Sequence, residues 1–431
     1  MKFRILLFFA MLAISFAGIA SAQSQYTVIN LGTLGGTAGF GNSINNRSWV
    51  TGSANKAGDL VTHTTLWRNG ETSGEDLGTL GDPDTTNSGV YWPVKNVNGL
   101  IVGISETDAT DPYNEIFSCK PFFGTPLNNH ACQGFKYQNG SLTPLPTLGG
   151  TNSYATAANN LGQIVGWAEN TVHDSTCALP QVLQFHAVIW GPKNTHTTEL
   201  LPLSGDTSSA ATAINDKGQV VGISGICDIA FGEFTAAHSV IWKNGVPHRI
   251  PDFGGKAWNT PTAINSKGQV AGFSDFPGDD NGVSNAHGFF WNGSGPIQEV
   301  KPLPQHHKNA VFGINNDGIA VGQSYSGSPS RAFIWQNGQT IDLNGLIPSG
   351  SSLYLFYAND INDTGEITGG AVDLNTGDLV AFLAIPTEDG DAQAAAVQNA
   401  NHSPQIRLTP NMLERMEKHS PANLLTTKPQ R

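Results

Sequence analysis

Charge is scarce in this chain. Asp, Glu, Lys and Arg together make 13% of its 431 residues, too few for long helices laced with ion pairs or for a basic face that wraps nucleic acid. The charge present leans acidic. A formal net charge of −12, more negative still once Lys2 and Arg4 leave with a leader, excludes general electrostatic attachment to nucleic acid or anionic lipid. Cationic partners and ions remain open. No apolar run after residue 22 approaches the roughly 20 residues that span a bilayer, so no membrane span is expected in the mature chain. No two cysteines have CxxC spacing and no histidine cluster joins them, which removes the usual zinc patterns. GxSxG, HExxH and a Gly-rich phosphate loop are also missing. The sequence therefore names no reaction, although a carboxylate pair for glycoside cleavage need not be close in sequence and stays open.

The first residues have the form of a signal peptide. Lys2 and Arg4 make a basic start, Ile5 to Ile14 an apolar run, and Ala20-Ser21-Ala22 a small-residue cleavage site. Residues 1–22 are read as the leader. No cysteine follows the cut, which argues against a lipid anchor. The expectation is a secreted protein, extracellular or periplasmic. In such a compartment four cysteines suggest two disulfides. Of the three pairings, Cys119–Cys132 and Cys177–Cys227 are favoured. The first would hold one long insertion together, and the second would bridge corresponding loops of neighbouring repeats.

Glycine is abundant, with 50 residues, and it marks a repeat. In the stretch Ala210–Gly255, four short apolar runs are separated by Asp216-Lys217-Gly218, a loop, and Lys243-Asn244-Gly245. Runs of four to six residues rich in Val, Ile and Trp, bounded by Asn/Gly turns, are strands. Asn215 can cap a tight turn through its side chain, and Asn244-Gly245 signals a hairpin. The same four-strand meander recurs, and its marker glycines are Gly52, Gly103, Gly166, Gly222, Gly272, Gly322 and Gly369. Units of about 50 residues that cannot bury both faces alone are the signature of a β-propeller.

The expected fold is all-β, a seven-bladed β-propeller of four-stranded antiparallel blades over residues 23–386. The last unit lacks a fourth strand and Tyr26–Leu31 lacks three. This N-terminal strand is therefore expected to add as the outermost strand of the blade made by residues 358–386, closing the ring. Residues 387–431 read as a flexible tail, with a short helix at Thr409–Lys418 capped by Thr409.

The pattern LGTLGG, AIN..GQVVG.S, HAF.W..G resembles the bacterial extracellular HAF repeat family. Its His-Ala-Phe run stands here as HAVIW, HSVIW, HGFFW and RAFIW. The resemblance covers about Leu31 to Pro386 and implies an exported repeat protein. It carries over no catalytic residues. Gln133, Arg331 and Val380 depart from it at the histidine position. The meander also looks like a WD-repeat blade, which implies that the AIN strand is innermost, the GQVVG strand second and the HAF strand third.

Turns between strands one and two are short in every unit, whereas connections between strands two and three vary greatly in length. Variable loops on a fixed scaffold are where binding usually resides, and all four cysteines lie in them. Tyr91, Trp92, Trp167, Trp258 and Phe273 are expected near the channel mouth on this face, where rings could stack on sugars. Asp275, Asp279, Asp280 and Asn281, and also Asp108, Asp111, Asn114 and Glu115, form oxygen-rich loops of the kind that can hold Ca²⁺, without EF-hand spacing. The repeated His63, His186, His238 and His287 stand on different blades, too far apart to share an ion, and are read as structural. Trp67, Trp190, Trp242, Trp291 and Trp335 are read as packing between blades. The expected protein is a monomeric exported binding module without a resident cofactor, whose partner is a carbohydrate first and a protein second. A carbohydrate-active lyase or hydrolase and a structural surface protein are the alternatives.

Overall fold

The computed structural model describes residues 25–421 except Lys95, 116–118, 124–128, 193–196, 229–233, 279–284, Ser328 and 388–406. The leader 1–22 lies outside the described residues. The fourth unit shows how the local rules act. Ser208–Ile214, Val220–Gly225, His238–Lys243 and Val246–Arg249 form an antiparallel meander. Its first turn is held by Asn215, whose Oδ1 accepts the Lys217 and Gln219 N–H groups, each at 3.1 Å. Its last turn places Asn244 and Gly245 at φ 53° and 79°. Two successive positive φ values are what a two-residue hairpin with the right-handed strand twist requires.

The same order builds the second, third, fifth and sixth units, giving five four-stranded antiparallel sheets. The first and last units share an eight-stranded mixed sheet, joined through one parallel bridge between Ala38 and Leu379. On the outer edge of the last unit, Tyr26–Gly32 pairs antiparallel with Leu379–Pro386, Tyr26 opposite Pro386 and Ile29 opposite Leu383. The N-terminal strand thus supplies the fourth strand that residues 353–386 lack.

The second unit departs from the pattern. Its first strand is only Ser88–Gly89, and the chain then runs on without a ladder. Pro93 has no N–H to give a ladder. The neighbouring first unit compensates: Ser43 Oγ accepts the Val94 N–H at 2.8 Å and donates to the Val94 carbonyl at 2.9 Å.

In the third, fourth and fifth units the first strand carries a bulge at one place, at Thr156, Thr212 and Thr262. Each threonine hydroxyl donates to a carbonyl of the next unit, Ala211, Pro261 and Val311, at 3.0, 2.5 and 2.9 Å. Beside the bulge, the partner strand must present a residue without Cβ. A Cβ on Gly222 would lie 2.0 Å from the Ala210 carbonyl oxygen, which explains the marker glycine.

Side-chain packing lies between neighbouring units. One cluster joins Ala157, Val165 and Leu200 of the third unit to Ala211, Val220 and Trp242 of the fourth. The repeated tryptophans Trp67, Trp190, Trp242, Trp291 and Trp335 are all buried. Trp190 and Trp242 donate their indole N–H to Pro146 and Leu201 of the preceding units, each at 2.9 Å. Three of the four repeated histidines, His63, His186 and His287, are bonded within the fold. His186 bonds Glu199 on its own unit through Nδ1 and the Thr207 carbonyl through Nε2, and His287 does the same with Glu299 and the His307 carbonyl. His63 Nδ1 bonds Asp76 at 2.8 Å.

In the tail, Pro410–Lys418 is a helix with Thr409 accepting the Met412 N–H. It is docked rather than free, with Met416 buried. Among the described residues no helix is long and apolar enough to cross a membrane.

Candidate functional site

Each unit places one asparagine at the turn between its first and second strands. Asn45, Asn96, Asn159, Asn215, Asn265, Asn315 and Asn362 hold the same position. Each Nδ2 donates to the backbone carbonyl of the next: Asn45 to Asn96 at 3.1 Å, Asn96 to Asn159 at 2.6 Å, Asn159 to Asn215 at 3.1 Å, then at 3.0, 3.0 and 3.2 Å as far as Asn362. Asn362 donates back to Asn45 at 3.1 Å. All seven are buried. The residues that follow them line a polar cavity of ≈ 80 Å³. In it Asp363 accepts from the Asn316 N–H and from the Asn46 and Asn316 side-chain amides, and Asp216 accepts from Asn160. These carboxylates bond between neighbouring units.

The opposite end of the same strands is the loop end. Five residues before each asparagine stand Phe40, Tyr91, Tyr154, Ala210, Thr260, Ala310 and Tyr357. The seventh, first, second and third units thus supply rings and the other three supply small side chains. The rings meet one another or the loops above them. Tyr91 packs on Phe122 with centroids 4.7 Å apart, Phe122 on Tyr154 at 5.0 Å, and Tyr154 on Trp167 at 4.7 Å. Tyr357 donates to Asn42 Oδ1 at 3.2 Å. Burial pushes the Tyr91, Tyr154 and Tyr357 hydroxyls well above the ordinary tyrosine range, so none of the three is a base near neutral pH.

The five aromatics singled out from the sequence do not converge on a groove. Trp92 and Trp167 are buried in one cluster with all four cysteines close by. Trp258 and Phe273 are buried in another, against Ala310, Phe312 and Tyr325 of the sixth unit. Tyr91 is roofed by Phe122 and Phe123 of a short helix, Lys120–Phe123. Trp92, Trp167, Trp258 and Phe273 are buried and present no exposed ring to a sugar, and Tyr91 is half-buried. Of the carboxylates proposed for Ca²⁺, Asp275 is buried and accepts the Asn285 N–H at 2.8 Å. Asp279, Asp280 and Asn281 lie outside the described residues.

Asp111 and Glu115 do something the sequence did not suggest. Glu115 leaves the second unit's loop and enters the third. Its Oε1 accepts the Val182 and Leu183 N–H groups at 2.9 and 2.6 Å. Gln181 Nε2 bridges it to Glu169, at 3.4 and 3.1 Å. Glu169 Oε2 accepts the Asn152 N–H at 2.7 Å, and Asp111 Oδ2 accepts the Glu115 N–H at 2.8 Å. Burial first, and then a neighbouring carboxylate, raises the pKa of both Glu115 and Glu169. Amide N–H groups fill this cluster, and the arrangement suits a shared proton. Asp108 accepts the Asp82 N–H on the surface.

The loops between strands two and three are tied by both disulfides, Cys119–Cys132 and Cys177–Cys227, with Cα atoms 5.4 and 4.3 Å apart. The second joins neighbouring units. Asp174 lies close to Cys177 and Cys227, but the bonded sulfurs have no thiolate to offer a metal. Exposed apolar side chains stand near this bridge. Leu179 is 84% exposed and Phe234 44%, and Ile226, also exposed, donates its N–H to the Phe234 carbonyl at 3.2 Å. Val172 and Tyr113, also exposed, flank His173 on the adjoining loops. Most of the exposed large apolar side chains among the described residues stand on or beside these loops.

No protein-family model matches the chain, and no curated protein does. Solved structures do. The β-propeller domain of the Trilobed protease from Pyrococcus furiosus is 10% identical, with a TM-score of 0.44, over 86% of this chain and 95% of that one. An oligogalacturonate lyase in complex with manganese is 12% identical, with a TM-score of 0.35, over 85% and 95%. TolB from Acinetobacter baumannii is 10% identical, with a TM-score of 0.36, over 76% and 77%. These likenesses carry no activity over to this chain.

Proposed function

We propose that this chain is an exported, seven-bladed β-propeller that binds a polypeptide partner through its loop end and catalyses nothing. The seven-membered asparagine circuit and the N-terminal strand on the last unit support seven blades and a closed ring. The two disulfides support an oxidising compartment, in line with the leader.

The observation that carries the binding reading is the set of exposed apolar side chains near Cys177–Cys227. Leu179, Ile226 and Phe234 project from loops that a disulfide holds in place. Exposed apolar side chains grouped on one face mark interaction sites, and loops on a rigid scaffold lose little entropy on binding. Carbohydrate yields first place to a polypeptide, because the aromatic rings that would stack on sugars are packed inside. The enzyme reading would rest on the close carboxylates Glu115 and Glu169, and both are buried.

The test is site-specific photo-crosslinking of the secreted protein in its producing cells. Leu179 and Phe234 carry the probe, and Leu161, on a short turn at the other end, is the control. Discrete protein adducts from the first two and none from Leu161 are expected. Glycan binding with release of reducing or unsaturated ends, undiminished by Leu179→Asp with Phe234→Asp, would replace this reading by the enzyme.

A further inference from the structure

The C-terminal helix lies across the rim of the loop end, on the far side from Cys177–Cys227. Its apolar side chains Met412, Leu413 and Met416 pack on Tyr354, Phe356 and Tyr357 of the seventh unit's first strand. Arg415 is the polar anchor. Its Nη1 donates to the Gly377 carbonyl at 2.8 Å, and its Nη2 to the Thr37 carbonyl and hydroxyl at 2.6 and 2.9 Å. Asp378 lies 3.7 Å away, and Arg415 also helps to hold the Asp59 carboxyl below its ordinary range, after local hydrogen bonds. Past the helix, His419 stacks on Phe40 with centroids 5.4 Å apart, and Ser420 Oγ donates to Gln323 Oε1 at 2.8 Å. One short segment therefore touches the sixth, seventh and first units.

We infer that this rim is a binding site for a short amphipathic helix carrying an arginine, and that the chain's own segment 407–421 occupies it as an exchangeable cover. Two observations carry this. The helix is nine residues long, below the roughly 12–15 residues at which isolated helices hold in water. It is therefore helical because it is seated, and unseating and unfolding are one event. Its seat is also the aromatic sector of the rim: Phe40 and Tyr357 lie beneath it, and Tyr354 is buried at its edge. Without the helix this would be an apolar notch bordered by Asp378 and Asp59, complementary to a helix of the same composition. The tether keeps the local concentration of the cover high, so a partner in trans binds only in proportion to the open fraction.

The probe is a fluorescent peptide of residues 407–421, titrated into the full chain. Wild type is expected to bind it at least about tenfold more weakly than a full chain carrying Arg415→Ala with Met416→Glu, whose own helix is unseated. Trypsin should cut at Lys418 faster in that variant. Adding Asp378→Arg to it should abolish binding, and a peptide with Arg415→Asp should restore it. Equal binding to wild type and the unseated variant, or none to a variant that still melts cooperatively, overturns the inference. So does binding indifferent to Asp378→Arg. The cross-links at Leu179 and Phe234 report a different part of the loop end, so failure of one test leaves the other readable.

Discussion

Asn215→Ala tests the asparagine circuit most directly. The side chain makes four bonds: Nδ2 to the Asn265 carbonyl at 3.0 Å and to Gln219 Oε1 at 2.9 Å, and Oδ1 from the Lys217 and Gln219 N–H groups at 3.1 Å each. Gln219 is only half-buried, so water replaces its share at little cost. The Asn265 carbonyl keeps the Gly268 N–H but loses its second donor, and the turn loses its cap. At about 1 kcal/mol net for each of the three bonds not readily replaced by water, to the Asn265 carbonyl and from the Lys217 and Gln219 N–H groups, the expected loss is about 3 kcal/mol. The unfolding entropy is roughly 2.1 cal/mol/K per residue, or about 0.75 kcal/mol/K over the ~360 residues of the repeat region. The melting temperature should then fall by about 4 °C. Asn215→Asp keeps the turn acceptor but aims a buried charge at the Asn265 carbonyl. It should cost more than alanine at pH 7 and recover on acidification, as the carboxyl protonates. Differential scanning calorimetry at pH 7 and pH 4 reads all three proteins, with Asn98→Ala as the exposed control. A shift under about 1 °C for Asn215→Ala, or one matched by Asn98→Ala, would refute the reasoning.

Three further outcomes are expected. The pKa values of Glu115 and Glu169 are raised by folding, so the native state holds more protons than the unfolded chain. Their contribution is fully present below about pH 4.5 and is lost as pH rises through the raised native values. Glu115→Gln, which mimics the protonated form, should raise the melting temperature at pH 7 and flatten its decline with pH; parallel melting curves against pH would sink this. Gly222→Ala should cost at least about 3 kcal/mol or prevent folding, because the added Cβ meets backbone. Gly245→Ala, strained in φ but in open space, should cost only about 1–2 kcal/mol by urea titration. Replacing Tyr26–Leu31 by a Gly-Ser segment should uncover the edge of Leu379–Pro386 and cause concentration-dependent association, read by light scattering; scattering equal to wild type would show that the strand does not guard that edge.

What could be read from the sequence was whatever a few adjacent residues decide. Asn215 and Gly218 make their turn alone, Asn244-Gly245 makes its hairpin alone, and repetition turned those local choices into an architecture. The cysteine pairs followed because equivalent loops on neighbouring repeats are close in any such stack. The rest depends on contacts between units. Whether Trp167 or Trp258 faces solvent is set by Tyr154 or Phe312 on the neighbouring strand, and no local pattern carries that. Asn215 was visible as a turn residue, but its second bond reaches Asn265, 50 residues on. The one signal for that role was recurrence of asparagine at the turn between the first and second strands in all seven units. The broken first strand of the second unit, at Pro93, was read as an ordinary strand, and its compensation through Ser43 lay a whole repeat away. The helix after Thr409 was legible from its cap, but its seat was not, since Thr37 and Gly377 are joined only by the fold.

The bond from Asn362 to Asn45 is of the same kind as the six others. Chemically, the circuit has no first member. The backbone's starting point is therefore a matter of covalent bookkeeping, and the molecule should accept circular permutation: an opening cut in another short turn, with the native ends linked, leaves every one of the seven bonds available. It also follows that a unit gained or lost by gene duplication would meet a ready donor on one side and a ready acceptor on the other.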